Sequence, residues 1–234
     1  MPQYTDSTGL TWNYTEIGGI ATIGTGGNWQ NRGNATTDGT GLSGAITIPK
    51  KVDGYTVTGI GQYAFARCYE LETIDLHNSV TSIDYRAFFQ CSGLTSIHLG
   101  NSLTSIGNSV FYQCSSLTSI TVGANNNSFS DINGVLFNKD QSTLIQYPVG
   151  NTATSYTFPD SVTTIVDYAF TQCTILTSID LSGTQLTSIG SYAFYVCSSL
   201  ETIHNIPNSL TSIGEFAFQA CSSLTSIDIP NSVT

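Results

Sequence analysis

Short stretches in which apolar and polar residues alternate recur along most of the chain. In the stretch 224–229 the apolar residues are Leu224, Ile227 and Ile229, and this alternation predicts a short β-strand with one buried face. Turn-forming residues follow, and the Val-Thr-Ser-Ile segment at 80–83 alternates again, which predicts a second extended piece. An Ala-Phe pair and a cysteine come next and predict one or two helical turns with these side chains on one side.

These elements repeat in register, and the cysteines mark the register. The six cysteines are separated by 23, 23, 59, 24 and 24 residues, each with a phenylalanine three positions before it and a leucine three positions after it. They are Cys68, Cys91, Cys114, Cys173, Cys197 and Cys221. One such unit is too small to bury its own apolar side, so neighbouring units must stack. The pattern therefore predicts a solenoid whose core consists of columns of Leu, Ile, Phe and Cys.

The repeat resembles the BspA-like leucine-rich repeat, which is also called the treponemal type. The shared skeleton is Ala-Phe-x-x-Cys-x-x-Leu-x-x-Ile-x-Leu/Ile-Pro, carried from Ile60 to the end of the chain, with Val110 in place of Ala and without Pro after several strands. The resemblance implies an α/β solenoid. In this fold a right-handed coil carries short parallel β-strands on its concave face and short helical turns on its convex face.

Residues 1–59 do not carry the repeat. Alternation at 10–14 and 20–23 predicts paired strands of an N-terminal β cap, and the segment 45–49 looks like the first repeat strand. Terminal units of solenoids are atypical because they cover the open end of the core. We therefore assign residues 1–59 to a cap and first strand, and residues 60–234 to the repeats.

The 59-residue gap between two cysteines predicts an irregular insertion at about 123–160. The segments 145–148 and 156–159 look like two strand cores, but no helix or cysteine lies between them, which predicts a thinner part of the solenoid. At the other end, the chain stops in the middle of a repeat. We expect either a fragment of a longer array or an open edge that pairs end to end with a second copy.

The composition excludes several classes of partner. Only 9% of the residues are charged, and 6 Lys and Arg against 16 Asp and Glu give a formal net charge of -10. Without clusters of Lys and Arg, the chain is not expected to bind nucleic acid or an anionic membrane surface. No apolar run approaches the roughly 20 residues of a membrane span, so we expect no membrane insertion.

The cysteines could form disulfides, bind zinc or remain free. Because all six occupy one position in the repeat, neighbouring copies would lie about 5 Å apart with parallel side chains, whereas a disulfide needs Cβ atoms turned toward each other. Zinc is disfavoured because the motif has no Cys-x-x-Cys pair and no histidine nearby. We predict free, buried cysteines and no metal.

The outward position between the core residues of each repeat strand carries the candidate ligand contacts. These residues, called the outward row below, are Asp75, His98, Thr121, Asp180, His204 and Asp228. A metal site or a Ser-His-Asp arrangement could use such residues, but catalysis needs an oriented nucleophile, a base and oxyanion donors in a pocket that excludes water. We expect a polar hydrogen-bonding row, with weak ligand contacts as its alternative role.

Three further features suggest ligands. An aromatic residue precedes the Ala-Phe pair in several repeats: Tyr63, Tyr168, Tyr192 and Phe216. This column is either a sugar or peptide platform or a set of half-packed side chains, and we favour packing. Trp29 lies in a Gly-rich loop that should be exposed, and it is a candidate for stacking on a glycan. Residues 125–133 are rich in oxygen ligands but lack the acid spacing of an EF-hand, so turns lined by asparagine are favoured over calcium.

No P-loop, Rossmann glycine pattern, His-Glu-x-x-His or Gly-x-Ser-x-Gly motif is present, so we expect neither an enzyme nor a cofactor. The resemblance implies an extracellular or cell-surface adhesion protein, with its export signal outside this chain and a protein or glycan of a host or neighbouring cell as partner. Two alternatives stay open. One is a structural spacer that presents another domain, and the other is a glycan-active module that uses Trp29 and the Asp and His residues of the outward row.

Overall fold

The computed structural model describes residues 1–24 and 42–234, and these residues form two compact units, Met1–Ser128 and Phe129–Thr234. The described residues contain strands and turns but no helix, so none of them forms a helix that could cross a membrane. Each unit consists of two sheets joined by runs of turns. The boundary between the units falls inside the predicted insertion.

Two sheets build the first unit. Its strands are β1 (Gln3–Thr5), β2 (Thr11–Ile17), β3 (Ile20–Ile23), β4 (Gly44–Thr47), β5 (Lys51–Val52), β6 (Tyr55–Ile60), β7 (Leu71–Asp75), β8 (Ser82–Ile83), β9 (Ser96–Leu99), β10 (Ser105–Ile106) and β11 (Ser119–Val122). β4, β7, β9 and β11 form a parallel sheet, called the repeat sheet, which confirms the predicted repeat strands. The other sheet contains β6, β8 and β10, and the predicted antiparallel pair β2 and β3 extends it.

The second unit repeats this plan. Its strands are β12 (Phe129–Ile132), β13 (Val135–Asn138), β14 (Thr143–Gln146), β15 (Ser155–Thr157), β16 (Thr164–Ile165), β17 (Ser178–Asp180), β18 (Ser188–Ile189), β19 (Thr202–His204) and β20 (Ser212–Ile213). β15, β17 and β19 form its repeat sheet, and β14, β16, β18 and β20 form the parallel part of the other sheet. The second extended piece of each repeat is therefore confirmed.

The prediction of short helical turns between the sheets is wrong. The segment 61–68 is a run of tight turns, in which Tyr63 and Arg67 have φ angles of 55° and 62°. These values lie outside the helical region. The amide of Phe65 donates to the carbonyl of Ala87 in the next coil, at 2.8 Å. Because alternate amides bind the neighbouring coil, the continuous i to i−4 bonds of an α-helix cannot form.

Val196 occupies one of these left-handed positions, with a φ of 60°. A β-branched side chain is unfavourable there because its branches crowd the backbone. Three other repeats have glutamine at the equivalent position, namely Gln90, Gln113 and Gln172, and the remaining two have Arg67 and Ala220.

We expect Val196→Asn to raise the free energy of unfolding by about 0.5–1 kcal/mol, because asparagine tolerates this conformation. Urea denaturation followed by circular dichroism measures the change. Val196→Thr is the matched control, since threonine keeps the branch and should bring no gain. Equal stability of the two variants would argue against backbone strain at this position.

The predicted phenylalanine column is present in both units. In the first unit the rings of Phe65 and Phe88 are stacked, with centroids 5.1 Å apart and planes tilted by 11°. In the second unit Phe194 stacks on Phe170 at 4.8 Å and on Phe218 at 5.2 Å. Each ring fills the space above its neighbour, so the core of one coil is completed by the coils next to it.

The cysteines form a second buried column. The thiol of Cys91 donates to the carbonyl of Phe65 at 2.9 Å, and the thiol of Cys197 donates to the carbonyl of Phe170 at 3.1 Å. Burial raises the pKa of the Cys91 thiol well above its ordinary value, so it stays a protonated donor. The prediction of free, buried thiols is confirmed at Cys91, Cys114, Cys173, Cys197 and Cys221.

Threonines satisfy backbone carbonyls between coils, which the sequence pattern did not predict. The hydroxyl of Thr81 donates to the carbonyl of Thr58 at 3.0 Å, and the hydroxyl of Thr104 donates to the carbonyl of Thr81 at 3.2 Å. The amide of Thr81 donates to the same carbonyl of Thr58, at 2.8 Å. Each of these threonines thus donates both its amide and its hydroxyl to one carbonyl of the preceding coil. This explains why a threonine precedes the Ser-Ile pair.

The insertion differs from its predicted arrangement. Segment 145–148 was expected to resemble a repeat strand, but β14 pairs with β16 and therefore belongs to the other sheet, where Leu144 lies opposite Ile165. Tyr147 then takes the place of the repeat phenylalanine, and its ring stacks on Phe170 at 4.9 Å. The antiparallel hairpin β12–β13 supplies the second neighbour of β14. The segment 156–159 behaves as predicted, because it overlaps β15 of the repeat sheet.

Candidate ligand-binding row and cleft

The repeat sheet of the first unit places its part of the outward row in register. Asp75 lies opposite His98, and His98 lies opposite Thr121, on adjacent parallel strands. Thr47 on β4 extends the row beyond Asp75. All four side chains are exposed, and Nδ1 of His98 lies 3.0 Å from Oγ1 of Thr121. With about 4.8 Å between strands, the row is a continuous polar strip across four strands.

In the second unit, the carboxylate of Asp180 is occupied by donors of its own chain. Asp180 lies opposite His204. Its Oδ1 accepts hydrogen bonds from Nδ2 of Asn205 at 2.8 Å and from the amide of Ser182 at 2.9 Å. The Asn205 amide, with Ser182, lowers the pKa of the Asp180 carboxyl. Within the described part of the chain, Asp75 has no such donors, so it is the more available carboxylate.

Two predicted site residues are not part of this geometry. Asp228 is exposed and lies outside the strands, so no strand ladder links it to the outward row among the described residues, and its place in the row stays a prediction. The segment 224–229 has no strand pairing there, and without a ladder its register is not fixed. The glycan-active alternative draws on the outward carboxylates Asp180 and Asp228, and no strand ladder brings these two residues into register among the described residues. Trp29 lies in 25–41, outside the described residues.

The aromatic column on the turn side is packed rather than open. The rings of Tyr168 and Tyr192 are 5.1 Å apart with planes tilted by 2°, and Phe216 stacks on Tyr192 at 5.1 Å. Tyr63 is only 5% exposed. A platform for sugars or peptides needs free ring faces, but these faces lie against each other. The geometry favours the packing interpretation.

An open cleft of about 1230 Å³ lies beside the outward row in the first unit. It is called the hairpin cleft below, because the β1–β2 turn and the β5–β6 hairpin form two of its sides. Thr47, Asp75 and His98 of the outward row line it, as do Lys50, Lys51 and His77. The cleft and the row therefore share three side chains, and together they form the candidate site.

The β1–β2 turn is a fixed wall of the hairpin cleft. Oδ1 of Asp6 accepts a hydrogen bond from the amide of Thr8 at 2.8 Å, and Oδ2 accepts one from Nε1 of Trp12 at 2.7 Å. Partial burial acts to raise the pKa of Asp6, but hydrogen bonds from Thr8, Trp12 and Leu10 outweigh it and lower the pKa. Asp6 is therefore a structural carboxylate, and Trp12 anchors the turn in the core.

The sequence profile of the BspA type leucine rich repeat region matches residues 44–154 and 147–234, with 6 copies. This chain belongs to the BspA-type leucine-rich repeat family. The repeats share the phenylalanine, cysteine and threonine columns described above. No match was found among curated proteins.

Three solved structures resemble this BspA-type chain. A leucine rich cell surface protein from Faecalibacterium prausnitzii is 35% identical to this chain, with a TM-score of 0.70. The match covers 82% of this chain and 49% of that protein, so this chain spans about half the length of that protein. The pneumococcal vaccine antigen PcpA is 22% identical, with a TM-score of 0.63 over 99% of this chain and 76% of its own. A leucine-rich repeat protein from Bacteroides ovatus is 24% identical, with a TM-score of 0.57 over 96% and 58%. The last two show the fold alone.

The oxygen-rich segment 125–133 of this BspA-type chain begins with a turn built on a buried side chain and continues into β12. Asn126 is 0% exposed, and its Nδ2 donates to the carbonyls of Gly100 at 2.8 Å and Leu103 at 3.0 Å. This agrees with the asparagine-lined turn that was favoured over calcium. Among the described residues, no group of three or more His, Cys, Asp or Glu side chains is placed to hold a metal ion.

Proposed function

We propose that this BspA-type chain is a non-catalytic binding module that recognises a protein or glycan partner at the cell surface. The observation that carries the proposal is the exposed, in-register row of Thr47, Asp75, His98 and Thr121 beside the open hairpin cleft. Such a strip offers many weak polar contacts to an extended partner. A small substrate would instead favour an enclosed, mostly apolar pocket.

The comparisons support a location outside the cell. The protein from Faecalibacterium prausnitzii, which is 35% identical, is described as a leucine rich cell surface protein. The free cysteines do not oppose this location, because each thiol is buried in the core and shielded from oxidants. We infer that this chain is displayed on a cell surface or secreted, as part of an adhesion protein.

The geometry of the outward row supports binding over catalysis. His98 and Thr121 form a hydrogen-bonded pair, which is the closest approach to a base and a nucleophile in the row. Both side chains are exposed, and the strands present them on an open face. Acyl transfer needs preorganised donors around a developing oxyanion and a site that excludes water, and an open strip provides neither.

The test displays the chain on beads and measures retention on panels of extracellular matrix proteins and glycans. We expect the wild type to bind, and the double variant Asp75→Asn/His98→Ala to bind about thirtyfold more weakly, because two polar contacts of about 1 kcal/mol each are lost. Asp84→Asn is the matched control, since Asp84 is also exposed in the first unit but lies outside the row. Absence of binding, or equal binding by all three proteins, would contradict the proposal and favour a spacer.

A further inference from the structure

We propose that the hairpin cleft binds an acidic oligosaccharide whose negative charges are uronate carboxylates. This inference names the ligand class for the site described above, and it rests on the proposed binding function. It starts from the distribution of positive charge, which the sequence alone did not place at one site.

Two of the six Lys and Arg residues of this acidic chain, and two of its three histidines, lie at the hairpin cleft. The whole chain has 6 Lys and Arg and 3 His against 16 Asp and Glu. Lys50, Lys51, His77 and His98 line the same cleft. Lys50 and Lys51 balance the carboxylates of Asp6 and Asp75 in the lining, so the cleft has no net formal charge within a chain of net charge -10, and the two lysines offer a local attraction for a negatively charged group.

The hydrogen-bonding groups of the hairpin cleft match a saccharide. Asp75 offers an exposed carboxylate that can accept bonds from ring hydroxyls, and Thr47 offers a hydroxyl next to it. A uronate carries one carboxylate on a ring whose other oxygens are hydroxyls, so it supplies both the anion for the lysines and donors for Asp75. A sulfated chain or an acidic peptide has denser charge and fewer hydroxyls, so Asp75 would repel it more strongly than it repels a uronate, which carries one charge per ring.

His77 shapes the wall of the hairpin cleft rather than offering a contact to a ligand. Its Nδ1 lies 2.7 Å from the hydroxyl oxygen of Ser79, and that hydroxyl donates to the carbonyl of Val57 at 2.6 Å. Its Nε2 is buried, so it is not presented to the open cleft. The ligand contacts are therefore left to Lys50, Lys51 and Asp75.

The walls of the hairpin cleft are held in place before any ligand binds. Asp6 and Trp12 fix the β1–β2 turn through the bond at 2.7 Å. On the opposite side, the amide of Val57 donates to the carbonyl of Lys50 at 2.9 Å, and Lys51 pairs with Thr56 in the β5–β6 hairpin. Preformed walls reduce the ordering cost of binding, which matters for a ligand held by weak polar contacts.

The experiment titrates the full chain with a short oligogalacturonate and with its methyl ester, by isothermal titration calorimetry. The ester carries a methyl group on each carboxyl, which removes the negative charge and leaves the ring hydroxyls unchanged. We expect the acid to bind and the ester to bind at least about tenfold more weakly, because the ester offers no anion to Lys50 and Lys51. Binding of the acid should weaken with added salt, since the screening length falls from about 10 Å at 0.1 M to about 3 Å at 1 M.

The double variant Lys50→Glu/Lys51→Glu should bind the acid at least about tenfold more weakly, and both lysines are exposed, so the fold should persist. Lys139→Glu reverses an exposed lysine in the second unit and should leave affinity unchanged. Melting curves of all variants check the fold. The inference is overturned if the acid does not bind, if the ester binds equally, if Lys139→Glu causes the same loss, or if chondroitin sulfate or polyglutamate binds more tightly.

The two proposals can fail separately. If Asp75→Asn/His98→Ala weakens retention on the panels while oligogalacturonate does not bind, the uronate inference is wrong and the binding function stands. If neither the panels nor the oligosaccharide binds, both are wrong.

Discussion

Phe194→Ala lowers the free energy of unfolding by about 3–5 kcal/mol, as expected for a large side chain removed from a filled core. Phe194 is 2% exposed, and its ring lies between Phe170 at 4.8 Å and Phe218 at 5.2 Å. Both neighbours belong to other coils, whose backbones are fixed by hydrogen bonds between coils. Phe170 and Phe218 cannot move together to fill the space. The cavity therefore persists, and the loss in unfolding free energy includes the lost packing contacts as well as the lost burial of the ring.

Urea denaturation followed by far-ultraviolet circular dichroism measures this change. Phe216→Ala is the matched control, because Phe216 is an aromatic residue of the same repeat that is 50% exposed. Its removal should cost less than about 1.5 kcal/mol, since half of its surface is already in water. Similar losses for the two variants would count against the interlocked phenylalanine column.

Asn126→Asp is expected to lower the free energy of unfolding by about 3–5 kcal/mol at neutral pH. The amide of Asn126 donates to the carbonyls of Gly100 and Leu103, and the side chain is 0% exposed. The substitution replaces this double donor with a carboxylate, which leaves a buried charge facing two acceptor oxygens. Both the unpaired carbonyls and the desolvated charge oppose folding.

This loss should depend on pH in a defined direction. Burial beside carbonyl oxygens raises the folded-state pKa of the introduced carboxyl above its unfolded value of about 3.9. The folded state then binds more protons, so the deficit is largest above the folded-state pKa and shrinks as the pH falls toward about 4. Asn125→Asp makes the same change at an exposed neighbour and should have little effect at any pH. A deficit that does not change between neutral and acid pH would contradict this account.

The repeat register was predictable because stacking imposes the same environment on equivalent residues. Phe88 stacks on Phe65 one coil away, and the thiol of Cys91 donates to the carbonyl of Phe65. Each copy therefore needs side chains of the same size and polarity, and the period is visible in the sequence. The strand positions followed from the same argument. The sheet to which Ile145 and Tyr147 belong could not be predicted in this way, because it depended on the β12–β13 hairpin next to β14.

The error over helical turns has a specific physical origin. The spacing of Ala64, Phe65 and Cys68 is compatible with a helix, and sequence spacing alone cannot distinguish a helix from a run of tight turns. The neighbouring coil decides between them, because it accepts the amide of Phe65 and removes that donor from any helical bond. The left-handed residues Tyr63 and Arg67 then complete the turns without glycine.

The sequence by itself determined the coil length, the buried columns and the register of Asp75, His98 and Thr121, because these depend on contacts between residues a fixed number of positions apart. Only the tertiary structure decided that Lys50, His77 and His98 line one hairpin cleft and that Asn126 is a buried donor. These arrangements depend on how unequal segments, such as the β1–β2 turn and the insertion, fold against the repeats. No period in the sequence encodes such contacts, so three-dimensional packing alone brings the residues together.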